Sequence, residues 1–242
     1  VRNYVAMKGG DGNRIYFSDG VVLNNLHKEG WVAVGLEKEK DKSKLPKELA
    51  KAREITSFMC RNFFDIRTFG AVMSTEVNCG QVRGPVQLSF ARSVDPVILS
   101  EHAITRTSVT NEKDIEKGRT IGRKFTIPYG LYRAHGVVNP HLADGDRGTG
   151  FGEGDLALLW EALVKAFDFD QSAARPAGSM AARKLIIFKH DSPLGNAPAH
   201  KLFERVTTKR KDESKPARAY SDYDVHVADT DLPPGISIIA KP

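Results

Sequence analysis

The sequence predicts an α+β fold, and three observations support this prediction. Apolar and polar residues alternate in several short segments, for example at Val86, Leu88 and Phe90, which indicates strands with one buried face. Two longer segments carry apolar residues at helical spacing. Strands come before and after the second helix, with no clear linker or internal repeat. We therefore predict one α+β domain over residues 1–242.

Two helices are predicted from the spacing of apolar residues. The first spans residues 49–64. Its start overlaps residues 37–55, which carry charged side chains of both signs and which we interpret as a solvated helix face. The second spans residues 155–170, where leucine, tryptophan and phenylalanine side chains form one apolar stripe. Asp155 is well placed to cap the amino end of this second helix.

Five segments are predicted to be strands, and Pro128 places a bulge or an edge in the fourth of them. They are residues 65–73, 85–97, 102–110, 125–140 and 184–190.

Three further segments are predicted to be loops. Residues 74–84 connect the first two strands and are rich in hydrogen-bonding side chains. Residues 148–154 contain four glycines and predict a flexible loop. They are not a P-loop, because no Lys-Ser or Lys-Thr pair follows them. The basic segment 207–218 predicts a mobile loop.

Composition narrows the classes of function. The chain has 242 residues and a net charge of +6, which favours a polyanionic partner. No apolar run approaches the ~20 residues that cross a bilayer, and no signal peptide is visible. Two cysteines are too few for a disulfide framework, so we expect a reduced, cytoplasmic protein.

Catalytic and metal-binding patterns are weak. The seven histidines are scattered, and none pairs with another at metal-ligand spacing on an obvious helix. The acidic residues Glu153 and Asp155 would repel a phosphate at the glycine-rich loop. We therefore expect no catalytic residue, no metal and no cofactor.

Arginines beside strands and glycines are more informative. The guanidinium fork of arginine suits phosphate, and glycine lets a backbone approach a ligand closely. Arg83 lies between Gly80 and Gly84, with Pro85 closing the segment. It either contacts a phosphate or forms an ion pair with Glu76 that holds the loop.

Several ordered blocks carry a family resemblance. They are NFFDIRTFGAVMST, NCGQVRGPVQLSFARSVDPV, PYGLYRAHGVV, DLALLWEALVKAFDFDQSAAR, MAARKLIIFKH, LGNAPAHKLF and ARAYSDYDV. In this order they resemble the Cas-seven (Csd-two) backbone subunit of the type I-C CRISPR surveillance complex, Cascade. The resemblance runs from about residue 55 to the C-terminus, and residues 1–54 match less well.

The resemblance implies an RRM-like, ferredoxin-type palm with insertions and a thumb hairpin. The family begins with a strand and an Asn-Pro-Asn-Gly-Asp-Pro segment before a basic helix, and VRNYV resembles the end of that helix. We therefore expect the family's N-terminal strand to be missing from this sequence. The thumb is either the 74–84 loop or part of residues 98–124.

The implied function is non-catalytic. Copies of the subunit stack head to tail along a CRISPR RNA, beside other Cascade subunits, and target DNA pairs with the guide, with no membrane involved. Met180 is either a wedge beside a displaced base or a core residue. The expected RNA-binding residues are Arg67, Ser74, Asn78, Gln81, Arg83, Arg106, Arg133, Arg175, Ser179, Met180, Arg183 and Lys184.

Two enzymatic alternatives remain open. A CRISPR RNA-processing endoribonuclease of related fold would need His102, His135 or His190 beside the RNA. An unrelated nucleotide-binding enzyme would use residues 148–154.

Overall fold

The computed structural model describes residues 1–117 and 120–242. The chain forms two compact units, each built from separate stretches of sequence. Unit 1 comprises residues 1–88, 136–198 and 231–242, and unit 2 comprises residues 89–135 and 199–230. Helices and small antiparallel sheets make up the fold, which confirms the α+β class. Residues 118 and 119, inside the segment considered for the thumb, lie outside the described residues.

Unit 1 holds five α-helices, and unit 2 holds one, within the described ranges. In chain order they are α1 Arg2–Lys8, α2 Leu23–Ala33, α3 Leu49–Asn62, α4 Phe64–Phe69, α5 Glu153–Val164 and, in unit 2, α6 Ala199–Glu204. The helix predicted over residues 49–64 is confirmed as α3. The second predicted helix is confirmed as α5, which is shorter and begins before Asp155. Asp155 still serves the helix start, because its carboxylate accepts a hydrogen bond from Gly152 N at 3.0 Å.

The described strands pair as six two-stranded antiparallel sheets. In unit 1 the pairs are β1 Gly70–Ser74 with β2 Asn78–Arg83, β3 Val86–Leu88 with β8 Gly136–Val138, and β9 Leu185–His190 with β12 Ile236–Lys241. In unit 2 they are β4 Arg92–Ser93 with β7 Tyr132–Arg133, β5 Ser100–Thr105 with β6 Ile121–Thr126, and β10 Val206–Arg210 with β11 Tyr223–Val227.

Unit 1 contains two hydrophobic clusters. In the first, the buried side chains of Trp31, Ile55 and Met59 bring α2 and α3 together beneath the β1–β2 hairpin. In the second, Val5 and Leu159 bring α1 and α5 together. The β1–β2 hairpin is therefore fixed to a packed layer of helices.

The strand predicted over residues 65–73 is wrong in its first half, which forms α4. Residues 64–68 are all buried, so the burial pattern has no period of two. The polar residue Asp65 is stabilised there because its carboxylate accepts hydrogen bonds from Tyr16 N at 2.8 Å and Phe17 N at 3.1 Å. Gly70, with φ 80°, ends the helix and allows β1 to begin.

Four other segments differ from the prediction. The strand expected over 85–97 is broken into β3 and β4, and the one expected over 125–140 is divided among β6, β7 and β8. Segment 207–218 is not wholly a loop, because β10 extends to residue 210. The strand expected over 102–110 is β5, which begins at Ser100 and ends at Thr105. The predicted glycine-rich loop is a loop, in which Thr149 N and Gly150 N donate to backbone carbonyls at 3.0 and 2.9 Å.

Candidate nucleic-acid interface

The β5–β6 hairpin of unit 2 is a highly exposed element that carries clustered basic residues. Nine of its twelve strand residues are exposed, so neither face is packed over most of its length. A two-stranded ribbon of this kind is marginally stable in water by itself. The exposure therefore indicates a surface that contacts a partner.

Basic side chains lie along this hairpin. Arg123 stands opposite Ala103, and Lys124 stands opposite His102, so the two cations lie on opposite faces. Arg106 follows β5, and its Nη2 donates to Thr120 Oγ1 at 3.4 Å. Arg123 Nε lies 3.2 Å from Glu101 Oε1 in an exposed ion pair that water weakens.

Apolar side chains accompany these cations. Ile104, Ile121 and Phe125 are each more than half exposed. Cationic and apolar groups on one ribbon suit a ligand that carries both phosphates and flat bases.

The β1–β2 hairpin presents a different surface. Ser74, Asn78, Gln81 and Arg83 lie on its strands rather than on a loop, which corrects the loop predicted over residues 74–84. The Asn78 side chain is engaged within the fold, because its Nδ2 donates to Ser43 O at 3.1 Å and its Oδ1 accepts from Gly80 N at 2.8 Å.

Arg83 lies at the opposite end of this hairpin from the turn, paired with Gly70. Glu76 lies in the turn, where it accepts a hydrogen bond from Asn24 Nδ2 at 3.3 Å. The ion pair between Arg83 and Glu76 that the sequence left open is therefore not formed. Arg83 is exposed, and its guanidinium has no partner within the described part of the chain.

His27 fixes the turn of the β1–β2 hairpin from below. Its imidazole is fully buried, with Nδ1 2.6 Å from Val77 O and Nε2 2.7 Å from the Tyr16 hydroxyl. A carbonyl oxygen only accepts hydrogen bonds, so Nδ1 donates to Val77 and Nε2 accepts from Tyr16. Burial lowers the pKa of His27 and raises the pKa of Tyr16 to about 12, so both groups are neutral at pH 7.

We expect the stability of the protein to fall as the pH drops below the unfolded His27 pKa of about 6.5. The folded pKa is lower than this value, so between the two the unfolded chain binds more protons than the folded chain. This contribution to stability is complete above the unfolded pKa and is lost as the pH falls towards the folded one. Urea unfolding between pH 5 and 8 measures the slope, to which His27 contributes at most about 1.4 kcal/mol per pH unit.

The control variants for this experiment are His27→Gln and His102→Gln. The first should flatten the pH slope even where it lowers stability at every pH. The second removes an imidazole from the exposed β5 strand and controls for the loss of a histidine elsewhere in the chain. An unaltered slope in His27→Gln would assign the pH dependence to another group.

Two of the arginines predicted to bind RNA are engaged inside the fold. The Arg133 guanidinium donates to the carbonyl oxygens of Val206 at 2.9 Å and Phe203 at 2.5 Å. Arg67 forms a two-pronged ion pair with Asp155, and their side chains are only 10% and 16% exposed. Its remaining donors reach the carbonyls of Gly12, Cys60 and Arg61 and the side chain of Asn13.

The remaining predicted residues lie in an exposed loop before β9. Arg175 lies 3.1 Å from Asp170 in an exposed ion pair. Ser179, Arg183 and Lys184 are exposed. Met180 is 44% exposed, so it is not a core residue.

The structure thus separates the twelve predicted residues. Arg106 belongs to the β5–β6 hairpin, four residues belong to the β1–β2 hairpin, and five belong to the loop before β9. The other two, Arg67 and Arg133, are engaged inside the fold. Arg123 and Lys124 were not predicted, because the corresponding strand was expected to begin at residue 125 and in fact begins at Ile121. The dipeptide Arg123–Lys124 beside Phe125 was the signal that would have found them.

The histidines considered for catalysis occupy three different settings. His102 Nε2 lies 2.9 Å from Thr126 Oγ1, and His190 Nδ1 accepts from Asn196 N at 2.8 Å. His135 stacks on Phe203 with ring centres 4.2 Å apart, and burial, followed by the nearby charge of Arg133, lowers its pKa.

Residues 1–117 and 120–242 contain no cluster of three or more His, Cys, Asp or Glu side chains that suits a metal ion. Among the helices within these ranges, none is both long and apolar enough to span a bilayer. Cys60 and Cys79 are buried free thiols, and burial raises their pKa values to about 11 and about 12.

Comparison with known proteins identifies the family. None of the curated proteins matches this chain. The profile of a family described as CRISPR-associated protein Cas7 matches residues 1–228, which includes the first 54 residues, where the resemblance was weaker. Because this match covers nearly the whole sequence, the chain belongs to the CRISPR-associated protein Cas7 family.

Proposed function

We propose that the protein is a non-catalytic CRISPR RNA-binding backbone subunit of a type I-C Cascade complex. Copies of it assemble head to tail along the guide RNA in the cytoplasm and present the guide to target DNA. The observation that carries this proposal is the exposed basic β5–β6 hairpin in a chain of the Cas7 family. The target DNA sequence is then recognised by base pairing with the guide RNA, while the protein binds the backbone of the guide and recognises its shape.

We assign the thumb to the β5–β6 hairpin rather than to residues 74–84. The β1–β2 hairpin is held from several sides, by His27 and by Trp31, whose Nε1 donates to Asn78 O at 2.9 Å. The β5–β6 hairpin is exposed on both faces, so it can insert at a kink in the guide RNA.

We assign the RRM-like palm to unit 1. Support comes from the β1–β2 hairpin, which packs its buried residues Ala71, Met73 and Cys79 on α2 and α3. An antiparallel sheet with helices on one face is the arrangement that the ferredoxin-type palm requires. The exposed side chains Ser74, Gln81 and Arg83 then belong to its RNA-facing side.

A protein that binds RNA through phosphates is expected to lose affinity with rising salt, regardless of base sequence. Each phosphate contact on a single strand contributes about 0.7 to the slope of log K against log salt. Titration of fluorescent guide-length RNA across salt concentrations measures this slope. Light scattering of the same mixtures should show assemblies that grow with RNA length, because head-to-tail contacts do not close on themselves.

The same samples test the non-catalytic part of the proposal. The RNA should remain intact after incubation without metal, as judged by denaturing gel. Salt-independent affinity, or a monomer both with and without RNA, would contradict the backbone-subunit assignment.

A further inference from the structure

A one-residue β-bulge interrupts the ladder at the start of unit 2. Ser89 N donates to His135 O at 2.8 Å, and His135 N donates to Ser89 Oγ at 3.0 Å. The next paired residues are Arg92 and Arg133. Two residues, Phe90 and Ala91, therefore stand opposite the single residue Ala134. Such bulges redirect side chains and are enriched beside functional sites.

The bulge places Phe90 in the solvent. Its side chain is 97% exposed, the largest fraction among the described large apolar residues. Residues alternate between the faces of a ladder, so Ala134 lies on the face opposite Arg133 and His135. Those two side chains contact Val206 and Phe203, whereas Ala134 is small and exposed. The face that carries Phe90 is therefore open.

The unit that carries Phe90 is cationic. Arg92 is exposed two residues further on, but it pairs with Arg133 and therefore lies on the face opposite Phe90. Unit 2 contains 15 Lys and Arg against 11 Asp and Glu, a net charge of +4 out of +6 for the chain. A polyanion is thus attracted to the unit that displays the aromatic ring.

We infer that Phe90 is a stacking platform for one unpaired base of a single-stranded nucleic acid. This inference rests on the proposed RNA-binding function and adds a residue that the hairpin assignment does not include. Aromatic rings accept any base on their face, so the contact would be independent of base identity.

A nucleobase fits this position better than a protein surface. Stable protein interfaces need about 1,000 Å² of buried area around an apolar centre. The ladder neighbours of Phe90 are Ala91 and Ala134, which offer little apolar area beyond the ring itself. A single base requires only one ring face, and the net positive charge of unit 2 attracts the phosphates on either side of that base.

The test compares Phe90→Ala with the wild-type protein on a labelled RNA of about six nucleotides, which is too short to bridge many subunits. We expect about tenfold weaker binding, because loss of one base–aromatic stack has an effect of that size. Phe90→Trp should retain affinity, and Phe90→Leu should behave like Phe90→Ala.

An RNA with an abasic residue at each position in turn provides the complementary readout. The wild-type protein should lose affinity for the RNA that lacks the stacked base, whereas Phe90→Ala should lose nothing further. Leu194→Ala is the matched control, because Leu194 is 86% exposed in unit 1. Thermal melting of all variants should match the wild type, since these side chains are exposed.

Three results would overturn the inference. Equal affinity of Phe90→Ala and wild type for the RNA would remove Phe90 from the binding surface while leaving the proposed function intact. Unchanged RNA affinity with weaker self-association in light scattering would make Phe90 a protein contact. Absence of any RNA binding by the wild-type protein would overturn the proposed function and the inference together.

Discussion

Replacing Arg67 by alanine is expected to lower the free energy of unfolding by about 3–5 kcal/mol. The substitution leaves the Asp155 carboxylate, only 16% exposed, without its cationic partner. It also removes the donor to three backbone carbonyls that Arg67 Nη1 reaches within 3.1 Å. An uncompensated buried charge has a larger effect than the loss of an exposed ion pair. Urea unfolding followed by circular dichroism measures the change.

Arg14→Ala is the matched control for this prediction. Arg14 also forms a two-pronged ion pair, with Glu29 at 2.6 and 3.0 Å, but both side chains are substantially exposed. Its loss should amount to about 1 kcal/mol or less. The double variant Arg67→Met with Asp155→Leu should recover part of the stability, because no charge is left without a partner. If Arg67→Ala were no more damaging than Arg14→Ala, water would have to reach the Asp155 carboxylate.

Neutralising the β5–β6 hairpin is expected to have the largest effect on RNA binding. The triple variant Arg106→Gln, Arg123→Gln and Lys124→Gln removes three cations from one exposed ribbon. Because each cation is expected to hold one phosphate, the salt slope should fall by about 2, and affinity at low salt should fall at least about tenfold. Stability should change little, because the ion pair of Arg123 with Glu101 is exposed.

A control variant must remove the same number of positive charges from another surface. It distinguishes direct phosphate contacts of the hairpin from a general effect of net charge on RNA affinity. Lys38→Gln, Lys40→Gln and Lys44→Gln neutralise three exposed lysines of unit 1 and should reduce affinity only slightly. Arg83→Gln, on the β1–β2 hairpin, should lower the salt slope by about 0.7, the value for one phosphate, while melting stays unchanged. Equal losses of affinity from both triple variants would assign binding to net charge and contradict the thumb assignment.

The spacing of apolar residues was sufficient to predict a helix where burial depends on residues close together in the sequence. The apolar residues of α3 recur at helical spacing, so the helix over Leu49–Asn62 was predicted almost to its ends. Pattern failed at α4, because its polar residues are stabilised by distant partners. Asp65 is hydrogen-bonded to Tyr16 N, 49 residues earlier, and Arg67 is paired with Asp155, 88 residues later. No short window of sequence contains both members of such a pair.

The residues predicted for the candidate site also divide into those that local sequence placed correctly and those whose environment depends on distant residues. Arg83 and Arg106 were identified from glycines and strands beside them, and both are exposed. Arg67 and Arg133 carried the same local signal, yet their donors are engaged by groups far along the chain. The alternation of Phe90 with Leu88 predicted a buried strand face. Only Val86 is buried, whereas Leu88 is 50% and Phe90 is 97% exposed, and no turn residue in the sequence marks the one-residue bulge at residues 90–91.

The interleaved composition of the two units has a consequence for how the chain acquires its structure. Unit 2 needs residues 199–230 to complete the part begun by residues 89–135, and 63 residues of unit 1 are synthesised in between. Closing such long loops costs entropy before any contact forms, which slows folding. On the ribosome, the β5–β6 ribbon therefore emerges well before α6 and β10 exist to complete unit 2. The buried side chains of Leu202 and Tyr223 come only from this later segment, so residues 89–135 remain available to chaperones, or to aggregation, until it is made.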